Sequence, residues 1–397
     1  MSMEKAYIPY GAYWSSPFCR WQGSLSQLNS LELAARVAKR ALADRQIAPG
    51  ALDSLVLGFT VPQLHGFYGP PWVAAMLGAP EISGAAMAQA CATSARVISS
   101  AALEVEIGQR ACVLALCCDR TSNGPHLYFP DPSGTGGMGV AENPVWDNFN
   151  RDPHAGQPMI QTAENVAREA GIGRADQEEM TLLRCRQYQD ALANDRAFQR
   201  RYMVAVEIPK GKKGSVTIDA DEGVFPTTAD GLAKLKPVLD GGTLTYGTQT
   251  FPADGNAGMV LCTRDNAERL SRDPKITIRL ASYGEGRVKK AFMPMAVVPA
   301  ARQALDRAGI GIGDCRAIKT HNPFAVNDVY FCRTLGVDPE RVNRYGSPLV
   351  SGHPQGPTGL RATIELIEEL VLAGGGYGLF TGCAAGDTGM ALVVKVE

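Results

Sequence analysis

Four reactive side chains stand in short segments of small and turn-forming residues, where a side chain is displayed rather than packed. The segments are Ala90-Cys91-Ala92-Thr93-Ser94, His321-Asn322-Pro323-Phe324, Ser351-Gly352-His353-Pro354 and Gly382-Cys383-Ala384-Ala385-Gly386. A thiol activated by an imidazole is a nucleophile toward a carbonyl carbon, and a second thiol can carry a proton. This combination of side chains predicts carbon–carbon bond exchange on a thioester.

Cys91 is predicted to lie in the first turn of a helix over residues 92–107. Backbone N–H groups at a helix start have no partner within the helix, and together with the macrodipole they favour a thiolate over a thiol. We therefore expect an activated sulfur nucleophile at this position. The alternative is a small buried hydrophobic side chain, which is the role of most cysteines.

The two histidines are expected to face one site. His353 lies in a turn that glycine and proline make rigid, and His321 follows a predicted strand. Because the carboxyl ends of strands in an α/β sheet face the ligand crevice, the two imidazoles can converge there. The alternatives are a hydrogen-bonded structural role for His353 and a surface position in an Asn-Pro turn for His321.

Cys383 ends a predicted strand at a glycine-rich turn. Small residues in such a turn leave backbone N–H groups open to a developing oxyanion, whereas the alternative is a tight turn with an incidental thiol. The segment Gly134-Thr135-Gly136-Gly137-Met138-Gly139 formally matches a dinucleotide-binding fingerprint. Since no strand is predicted before it, a dinucleotide site is not expected.

Two halves of the chain repeat the same order of elements. Residues 38–59 read as helix, turn and strand, and a second copy begins at Ala301. After these copies, the number of residues from Cys91 to Cys117 equals the number from Pro357 to Cys383. A helix and a strand are predicted inside each of these two sequence intervals. Such repeated units predict right-handed crossovers between parallel strands. The predicted fold class is therefore α/β, with the halves related by a pseudo-twofold axis.

The two repeated helices differ in character. Residues 92–107 are apolar on nearly every face, which predicts a buried helix, whereas the helix over residues 359–372 carries four charged side chains and is predicted to have one solvated side. Between the halves, residues 121–243 form an insertion with helices predicted over 162–170 and 175–194. Long insertions of this kind are often substrate-binding lids.

Composition excludes several functional classes. The net charge is −1 without a concentrated basic face, so nucleic acid is not an expected partner. Residues 210–213 are predicted to be a solvated basic turn, and the alternative is a site for a phosphate-bearing small ligand. Ten cysteines without a C-x-x-C pair or signal peptide favour reduced thiols and a cytoplasmic location. No apolar run approaches the roughly 20 residues of a membrane span. The five histidines are scattered without zinc-ligand spacing, so no metal is predicted.

Taken together, the segments around Cys91, His353 and Cys383 resemble the thiolase superfamily over essentially the whole chain. Further segments that match in order are residues 119–125, Thr162-Ala163-Glu164-Asn165-Val166-Ala167, Asp176-Gln177-Glu178-Glu179, Lys234-Leu235-Lys236-Pro237-Val238 and Asn343. The resemblance implies a duplicated α/β/α/β/α layered fold. Its expected parts are an N-terminal thiolase-like domain of residues 1–120 and 244–266, an inserted loop domain of residues 121–243, and a C-terminal thiolase-like domain of residues 267–397.

The same resemblance assigns roles to the reactive side chains. Cys91 would be the nucleophile that becomes acylated, His353 would activate it, and Cys383 would move a proton to or from the α-carbon of the acetyl unit. Many thiolases have Asn-Glu-Ala-Phe where this chain has His-Asn-Pro-Phe, a version similar to the sterol-carrier-type and trifunctional-type branches. His321 would then join His353 in an oxyanion hole.

The resemblance also implies acyl-CoA substrates, with coenzyme A as a co-substrate and no permanently bound cofactor. Met159 and Thr250 match positions that line the pantetheine of coenzyme A, and Ala385 stands where glycine is usual and is expected to narrow or reshape the pocket. Assembly as a homodimer or a dimer of dimers is implied, and a small auxiliary subunit is a further expected partner.

The expected function is that of a thiolase-type acyl-CoA C-acyltransferase that cleaves or forms a 3-oxoacyl-CoA. Tyr128, Trp146 and Phe149 of the insertion are candidates for stacking on a bulky or aromatic acyl chain, although they also fit a small core of the insertion. The alternatives are a condensing enzyme similar to ketoacyl synthases or hydroxymethylglutaryl synthases, and a non-catalytic acyl-CoA-binding subunit.

Overall fold

The computed structural model describes residues 2–211 and 214–397. Lys212 and Lys213 of the predicted basic turn lie outside the described residues. The helices are α1 (Ser30–Asp44), α2 (Gly69–Leu77), α3 (Thr93–Glu106), α4 (Trp146–Asn150), α5 (Met159–Glu169), α6 (Arg174–Arg196), α7 (Ala229–Ala233), α8 (Arg264–Leu270), α9 (Val297–Ala308), α10 (Ala325–Leu335), α11 (Pro348–Ser351) and α12 (Thr358–Leu372). The strands are β1 (Tyr13–Ser15), β2 (Cys19–Arg20), β3 (Ser54–Gly58), β4 (Gly84–Met87), β5 (Cys112–Arg120), β6 (Leu127–Phe129), β7 (Val140–Glu142), β8 (Val206–Pro209), β9 (Ser215–Ile218), β10 (Ala253–Cys262), β11 (Ile278–Arg287), β12 (Cys315–His321), β13 (Gly376–Ala384) and β14 (Thr388–Val396).

Two mixed sheets form the framework of the molecule. In the first sheet the strand order is β1-β10-β5-β3-β4, with β2 beside β10, and β3 is parallel to both β4 and β5. The second sheet has the order β11-β14-β13-β12, and β12 is parallel to β13. Each sheet also contains an antiparallel pair next to the parallel strands. β10 pairs with β5 in the first sheet, and β14 pairs with β13 in the second. The parallel pairs are those that the repeat predicts, and the antiparallel strands are additions that it did not indicate.

The sequence repeat corresponds to matched elements in the two sheets. A short 3₁₀ helix precedes β3 at Pro49–Ala51, and another precedes β12 at Ile312–Asp314. In the same way, α3 leads into β5 and α12 leads into β13. The duplication predicted from the spacing of the cysteines is therefore present as structure.

α3 and α12 lie side by side between the two sheets. Their buried side chains, such as Ile98 and Ile364, belong to one apolar cluster with the inner faces of β5, β10 and β14. On the outer faces, α1 and α2 cover the first sheet and α9 covers the second. This arrangement confirms the predicted α/β/α/β/α layering, and it brings the N-termini of the two central helices together, where Ser94 donates a hydrogen bond to the carbonyl of Gly356.

The prediction of a solvated side on α12 is wrong. The charged side chains on that helix are all buried, namely Arg361, Glu365, Glu368 and Glu369. Arg361 forms two hydrogen bonds of 2.6 and 2.7 Å with Asp221, and Glu368 forms an ion pair of 2.5 Å with Arg201. Both partners come from the inserted segment, so a charge pattern within the helix could not indicate which charges are paired in the interior.

The inserted segment reaches that side of α12 through Arg201, Tyr202 and Asp221, which follow α6 and β9. It contains two hairpins, β6–β7 and β8–β9, together with α4 to α7. Near its end α6 is interrupted at Ala193, Asn194 and Asp195, which leave helical backbone angles. No helix in the described part of the chain is both long and apolar enough to cross a membrane.

Candidate active site

The segment before α3 presents Cys91 at the end of a tight turn. Ala90 has a φ of 45°, an unusual angle for a residue with a side chain, and the helix itself begins at Thr93. The Thr93 hydroxyl donates to the carbonyl of Ala90 at 2.7 Å and accepts from the N–H of Gln89 at 2.8 Å. These two bonds hold the turn, so Cys91 stands two residues before the helix and not in its first turn as predicted.

His353 reaches the Cys91 thiol from the segment that precedes α12. Gly352 has a φ of 90°, which only glycine adopts readily, and the N–H of His353 donates to the carbonyl of Phe251 at 2.9 Å. On the ring, Nδ1 lies 2.7 Å from Thr358 Oγ1 and Nε2 lies 3.2 Å from Cys91 Sγ. When Nδ1–H donates to the threonine hydroxyl, the lone pair of Nε2 faces the thiol. Both ring nitrogens therefore have a defined partner.

Burial favours the neutral forms of both Cys91 and His353. Burial raises the pKa of the Cys91 thiol to about 11, although the N–H groups of Ala385 and of Cys91 itself partly oppose this shift. Burial, and then the proximity of His321, hold the pKa of His353 well below its usual value. Backbone N–H groups thus shift the pKa of Cys91 in the direction predicted, and burial is the larger, opposing effect.

The predicted convergence of the two histidines is confirmed. His321 ends β12, and its ring centroid lies 4.2 Å from that of His353. Neither ring nitrogen of His321 has a hydrogen-bond partner among the described residues, and burial lowers its pKa to about 3. A neutral imidazole that carries one N–H and one lone pair therefore faces the thiol without a partner.

The rest of the His-Asn-Pro-Phe segment is fixed by a buried polar network. Asn322 donates to Asp328 at 2.7 Å and accepts from the N–H of Leu349 at 3.2 Å. Asp328 also forms a fully buried ion pair of 2.7 Å with Arg184 of α6. Asn343, which the sequence singled out, donates to Asp328 at 3.1 Å. Because these polar groups bind one another, the position of His321 at the end of the strand is held rigidly.

Cys383 lies in β13, which continues past the predicted strand end to Ala384. The side-chain amide of Asn327 donates to Cys383 Sγ at 3.2 Å, and the thiol is fully buried. Burial raises the pKa of Cys383, and the neighbouring Cys91 raises it further. The structure therefore brings both predicted thiols to one place, with Asn327 as a donor to the buried thiol.

Asp119 links two backbone segments that border the site. Its carboxylate accepts from the N–H groups of Thr60, Val61 and Gly356 at 2.7 to 2.9 Å. Burial nonetheless raises its pKa to about 7. These bonds fix the turn between His353 and α12 on the end of β5.

Thr358, Asn327 and Asp119 contact the site residues although no motif in the sequence marks them as functional. Thr358 is adjacent to the Gly-His-Pro turn, and Asp119 begins a segment that matches the family, so sequence position gave a signal for both. Asn327 contacts a residue that is distant in sequence, and only the fold could reveal it.

The predicted coenzyme A contacts occupy three different elements. Met159 begins α5, and Thr250 donates to the carbonyl of Pro348 at 2.6 Å, close to the turn of His353. Ala385 follows β13 and is exposed, with its backbone N–H directed toward Cys91 Sγ. The positions of Thr250 and Ala385 border the site.

The aromatic side chains of the insertion pack partly on one another. The Trp146 ring lies edge-on to those of Trp21 at 5.1 Å and Phe149 at 6.0 Å. The Tyr128 side chain is exposed, and its hydroxyl accepts from the N–H of Gly139 at 2.8 Å. Trp146 and Phe149 thus form a partly exposed aromatic cluster with Trp21, which lies outside the insertion, rather than a buried core of the insertion.

Comparison with known proteins gives one family for the whole chain. The family model described as the thiolase N-terminal domain matches residues 13–265, and that of the thiolase C-terminal domain matches residues 274–396. Beta-ketothiolase BktB of Cupriavidus necator is 32% identical over 381 residues, covering 94% of this chain and 95% of the relative. The acetyl-CoA acetyltransferase of Paracoccus denitrificans is 30% identical over 401 residues, covering 99% of this chain and 100% of the relative.

Solved structures agree with the sequence relatives. Human mitochondrial 3-ketoacyl-CoA thiolase superposes with a TM-score of 0.91 at 26% identity, covering 99% of both chains. The same enzyme in complex with CoA also gives a TM-score of 0.91, covering 100% of this chain and 99% of the other. With both family domains in order and a shared fold over the full length, this chain belongs to the thiolase family.

Proposed function

We propose that this protein is an acyl-CoA C-acyltransferase of the thiolase type, which exchanges acyl groups through an acyl-Cys91 intermediate. The observation that carries the proposal is the contact of 3.2 Å between His353 Nε2 and Cys91 Sγ, with His353 Nδ1 held by Thr358. A thiol, a base and a group that orients the base form the arrangement that nucleophilic catalysis requires. The fold and the relatives support coenzyme A thioesters as substrates.

The first step in the cleavage direction is attack on the 3-oxo carbon of a 3-oxoacyl-CoA. Since both partners are neutral at rest, the Cys91 proton moves to His353 Nε2 as the sulfur–carbon bond forms. The N–H of His321 would donate to the developing oxyanion. One such donor is worth about 3 kcal/mol of transition-state stabilisation, so losing it is expected to slow this step about a hundredfold.

The second step breaks the carbon–carbon bond and leaves acyl-Cys91 and the enolate of acetyl-CoA. The Cys383 thiol would give its proton to the α-carbon, while the Asn327 amide stabilises the resulting thiolate. Incoming coenzyme A then gives its thiol proton to Cys383 and attacks the acyl group. As the acyl–sulfur bond breaks, His353 returns its proton to Cys91, so protons balance over the cycle.

The proposal includes coenzyme A binding along Met159, Thr250 and Ala385. A bulky or aromatic acyl chain would extend toward the aromatic cluster of the insertion, where the Trp146 side chain is 38% exposed. Replacing Trp146 with alanine is then expected to lower kcat/KM for aromatic 3-oxoacyl-CoA esters more than for acetoacetyl-CoA. Equal losses for both substrate classes would rule out a role of Trp146 in acyl-chain selection.

Mass spectrometry of acid-quenched reactions tests the central proposal. After incubation with a series of linear, branched and aromatic 3-oxoacyl-CoA esters, we expect the acyl mass on the Cys91 peptide, and none in Cys91→Ala. The matched control is Cys185→Ala, because Cys185 is the other partly exposed thiol. Absence of an acyl-enzyme with every ester would leave the non-catalytic acyl-CoA-binding alternative.

A second variant separates the thiolase reaction from the condensing-enzyme alternative. Cys383→Ala is expected to retain acylation of Cys91 by acetyl-CoA but to lose exchange of the acetyl α-protons with deuterated water. If exchange and thiolysis continue at the wild-type rate, another group moves that proton. The alternative of a condensing enzyme similar to ketoacyl synthases or hydroxymethylglutaryl synthases would then be favoured.

We also propose that the protein assembles as a homodimer through β4. This edge strand is exposed at Gly84, Ala85 and Ala86, and its outer edge is free of any strand partner in the described structure. Because such an edge offers unpaired N–H and C=O groups, pairing with a second copy would cover it. Sedimentation should give a dimer for the wild type and a monomer for Ala86→Lys, whereas a monomeric wild type would contradict the proposal.

Binding of an auxiliary subunit is a separate question. Sedimentation of this protein after co-expression with the proteins encoded by its neighbouring genes tests it.

A further inference from the structure

The side chains around Cys91 form a set of donors that soft metal ions prefer. Cys91, His321 and His353 each offer one ligand atom, and these three atoms lie within 4.8 Å of one another. Thiolate sulfur and imidazole nitrogen are the usual ligands of Zn²⁺ in proteins. The ligands come from three distant segments, so spacing in the sequence could not indicate a metal site.

The separation of Cys91 Sγ and His353 Nε2 is close to what one ion requires. Zn–S and Zn–N bonds of about 2.3 and 2.1 Å at a tetrahedral angle place the sulfur and nitrogen about 3.6 Å apart. Cys91 Sγ and His353 Nε2 are 3.2 Å apart. A small rotation of either side chain is therefore enough to admit an ion between them.

His321 provides an independent indication of a ligand. Its ring is fully buried, and neither nitrogen has a hydrogen-bond partner within residues 2–211 and 214–397. A buried polar group without a partner is costly, and a bound ion would engage one of these nitrogens. His353 has the outer partner that metal-binding histidines usually have, because Thr358 Oγ1 holds Nδ1 and leaves Nε2 as the ligand atom.

Three protein ligands leave a fourth position of the ion open. Cys383 is not one of the three, and its sulfur already accepts from Asn327 at 3.2 Å. In zinc sites with three protein ligands, the fourth position holds water or a substrate oxygen.

We propose that the acyl-free protein binds one Zn²⁺ ion through Cys91, His321 and His353, and that the bound ion prevents acylation. On binding, the Cys91 thiol loses its proton to solvent and the ion loses water from its hydration shell. The sulfur is then engaged with the metal, and His353 Nε2 can no longer accept a proton. The metal site does not depend on the proposed function, whereas the inhibition does.

Co²⁺ is the probe that tests this site, because it reports both thiolate ligation and geometry. Anaerobic titration of Cys185→Ser, which removes the other partly exposed thiol, should give one equivalent of bound Co²⁺. A thiolate-to-cobalt charge-transfer band and the visible bands of a tetrahedral ion are expected. Zn²⁺ should displace the Co²⁺ and abolish these bands.

Substitutions of the proposed ligands, and of the neighbouring Cys383, test whether the ion binds at Cys91, His321 and His353. In the Cys185→Ser background, Cys91→Ser should lose the charge-transfer band and His321→Asn should weaken Co²⁺ binding about tenfold or more, since loss of even an outer partner has that effect. The matched control, Cys383→Ser, should bind Co²⁺ as the parent does. The proposal is overturned if no stoichiometric Co²⁺ binds, if the band persists without Cys91, or if His321→Asn binds as tightly as the parent while remaining folded.

Acylation measured on the same samples separates this inference from the proposed function. Prior acylation of Cys91 should prevent Co²⁺ binding, and Zn²⁺ should slow acylation and alkylation of Cys91. If the acyl-enzyme forms but Co²⁺ does not bind, only the metal site is wrong. If Co²⁺ binds through the three ligands but no acyl-enzyme forms, the metal site stands and the acyltransferase proposal fails.

Discussion

At the scale of single residues, the proposed reactivity of Cys91 depends on the orientation and the protonation state of the two neighbouring histidines. His353 can accept a proton from the thiol only when Thr358 keeps the other ring nitrogen occupied. Burial lowers the pKa of both histidines, so neutral rings are favoured, and an N–H of His321 and a lone pair of His353 can face the same carbonyl. The proposed chemistry therefore depends on hydrogen-bond direction rather than on a preformed ion pair.

The first prediction concerns Thr358. Thr358→Val removes the oxygen that holds His353 Nδ1, so the ring can adopt the wrong tautomer or turn away from Cys91. We expect kcat/KM and the rate of Cys91 alkylation by iodoacetamide to fall about 10–100-fold, as for other outer partners that orient imidazoles. The matched control is Thr363→Val on the same helix, whose hydroxyl donates to the carbonyl of Gly359 at 2.8 Å. Equal effects of the two substitutions would contradict a special role of Thr358.

The second prediction concerns Asn327, which donates to Cys383 Sγ at 3.2 Å. Asn327→Ala removes a donor that stabilises the thiolate form, and hydrogen bonds to charged groups contribute about 1.5–3 kcal/mol. Exchange of acetyl-CoA α-protons with deuterated water, followed by NMR, should therefore slow at least about tenfold. Acylation of Cys91 by acetyl-CoA should change little, and a parallel loss of acylation would indicate general damage to the site.

At the scale of elements, the site exists because α3 and α12 approach closely at their N-termini. A Cβ atom on Gly359 would lie 2.9 Å from the Phe380 ring and 3.2 Å from the Ser94 Cβ. There is no room for a side chain at this crossing. The small residues that follow Cys91 and His353 are thus required by helix packing as well as by chemistry.

The third prediction follows from this close approach. Gly359→Ala is expected to lower the free energy of unfolding by about 1–3 kcal/mol, which is typical of an overpacked interior. Gly50→Ala is the control, because a Cβ at that position meets nothing within 4 Å. Urea unfolding of both variants measures the difference. A Gly359→Ala protein as stable as the control would show that α3 and α12 can separate without cost.

At the scale of the whole molecule, buried charges connect α12 to the inserted segment and to the second sheet. Arg361 and Glu368 are paired with Asp221 and Arg201. Glu369 is buried as well, but its carboxylate oxygens have no hydrogen-bond partner in the described part of the chain. Burial raises the pKa of Glu369 to about 7, although Lys319 and Arg344 oppose the shift. This carboxyl group makes the stability of the molecule depend on pH.

The fourth prediction gives the sign of that dependence. Between about pH 4.5 and 7, the folded state keeps the Glu369 proton while the unfolded state has lost it, so stability falls as pH rises and the loss is complete above about pH 7. For a shift of this size the loss is at most about 3 kcal/mol. Glu369→Gln should make this fall smaller, since the raised pKa of Asp119 contributes a similar fall that remains. The variant should also be more stable than the wild type at pH 8 in urea unfolding.

The control for this experiment lies next to Glu369 in the sequence. Glu368 accepts from the Tyr13 hydroxyl at 2.7 Å and forms the ion pair with Arg201. Glu368→Gln should therefore destabilise the protein at pH 8, opposite in sign to Glu369→Gln. Destabilisation by both substitutions would mean that Glu369 is charged and paired in the folded state.

The sequence by itself determined the duplicated α/β architecture and the candidate reactive side chains. The equal spacing of Cys91–Cys117 and Pro357–Cys383 indicated paired helices and strands, and the small residues around each reactive group indicated tight turns. These features are local, because spacing, turn residues and apolar runs act within one segment. The structure accordingly has α3, α12, β5 and β13 close to where the pattern predicts them.

Only the tertiary structure decided which groups are charged and which are paired. The solvated side predicted for α12 is buried because Asp221 and Arg201 arrive from the insertion. The pKa of Cys91 is raised because the surrounding layers desolvate the thiolate more than the nearby N–H groups stabilise it. Likewise, Trp146 packs on Trp21, and Asn327 meets Cys383. Charge state and hydrogen bonding depend on burial and on partners distant in the chain, and no spacing within one segment contains that information.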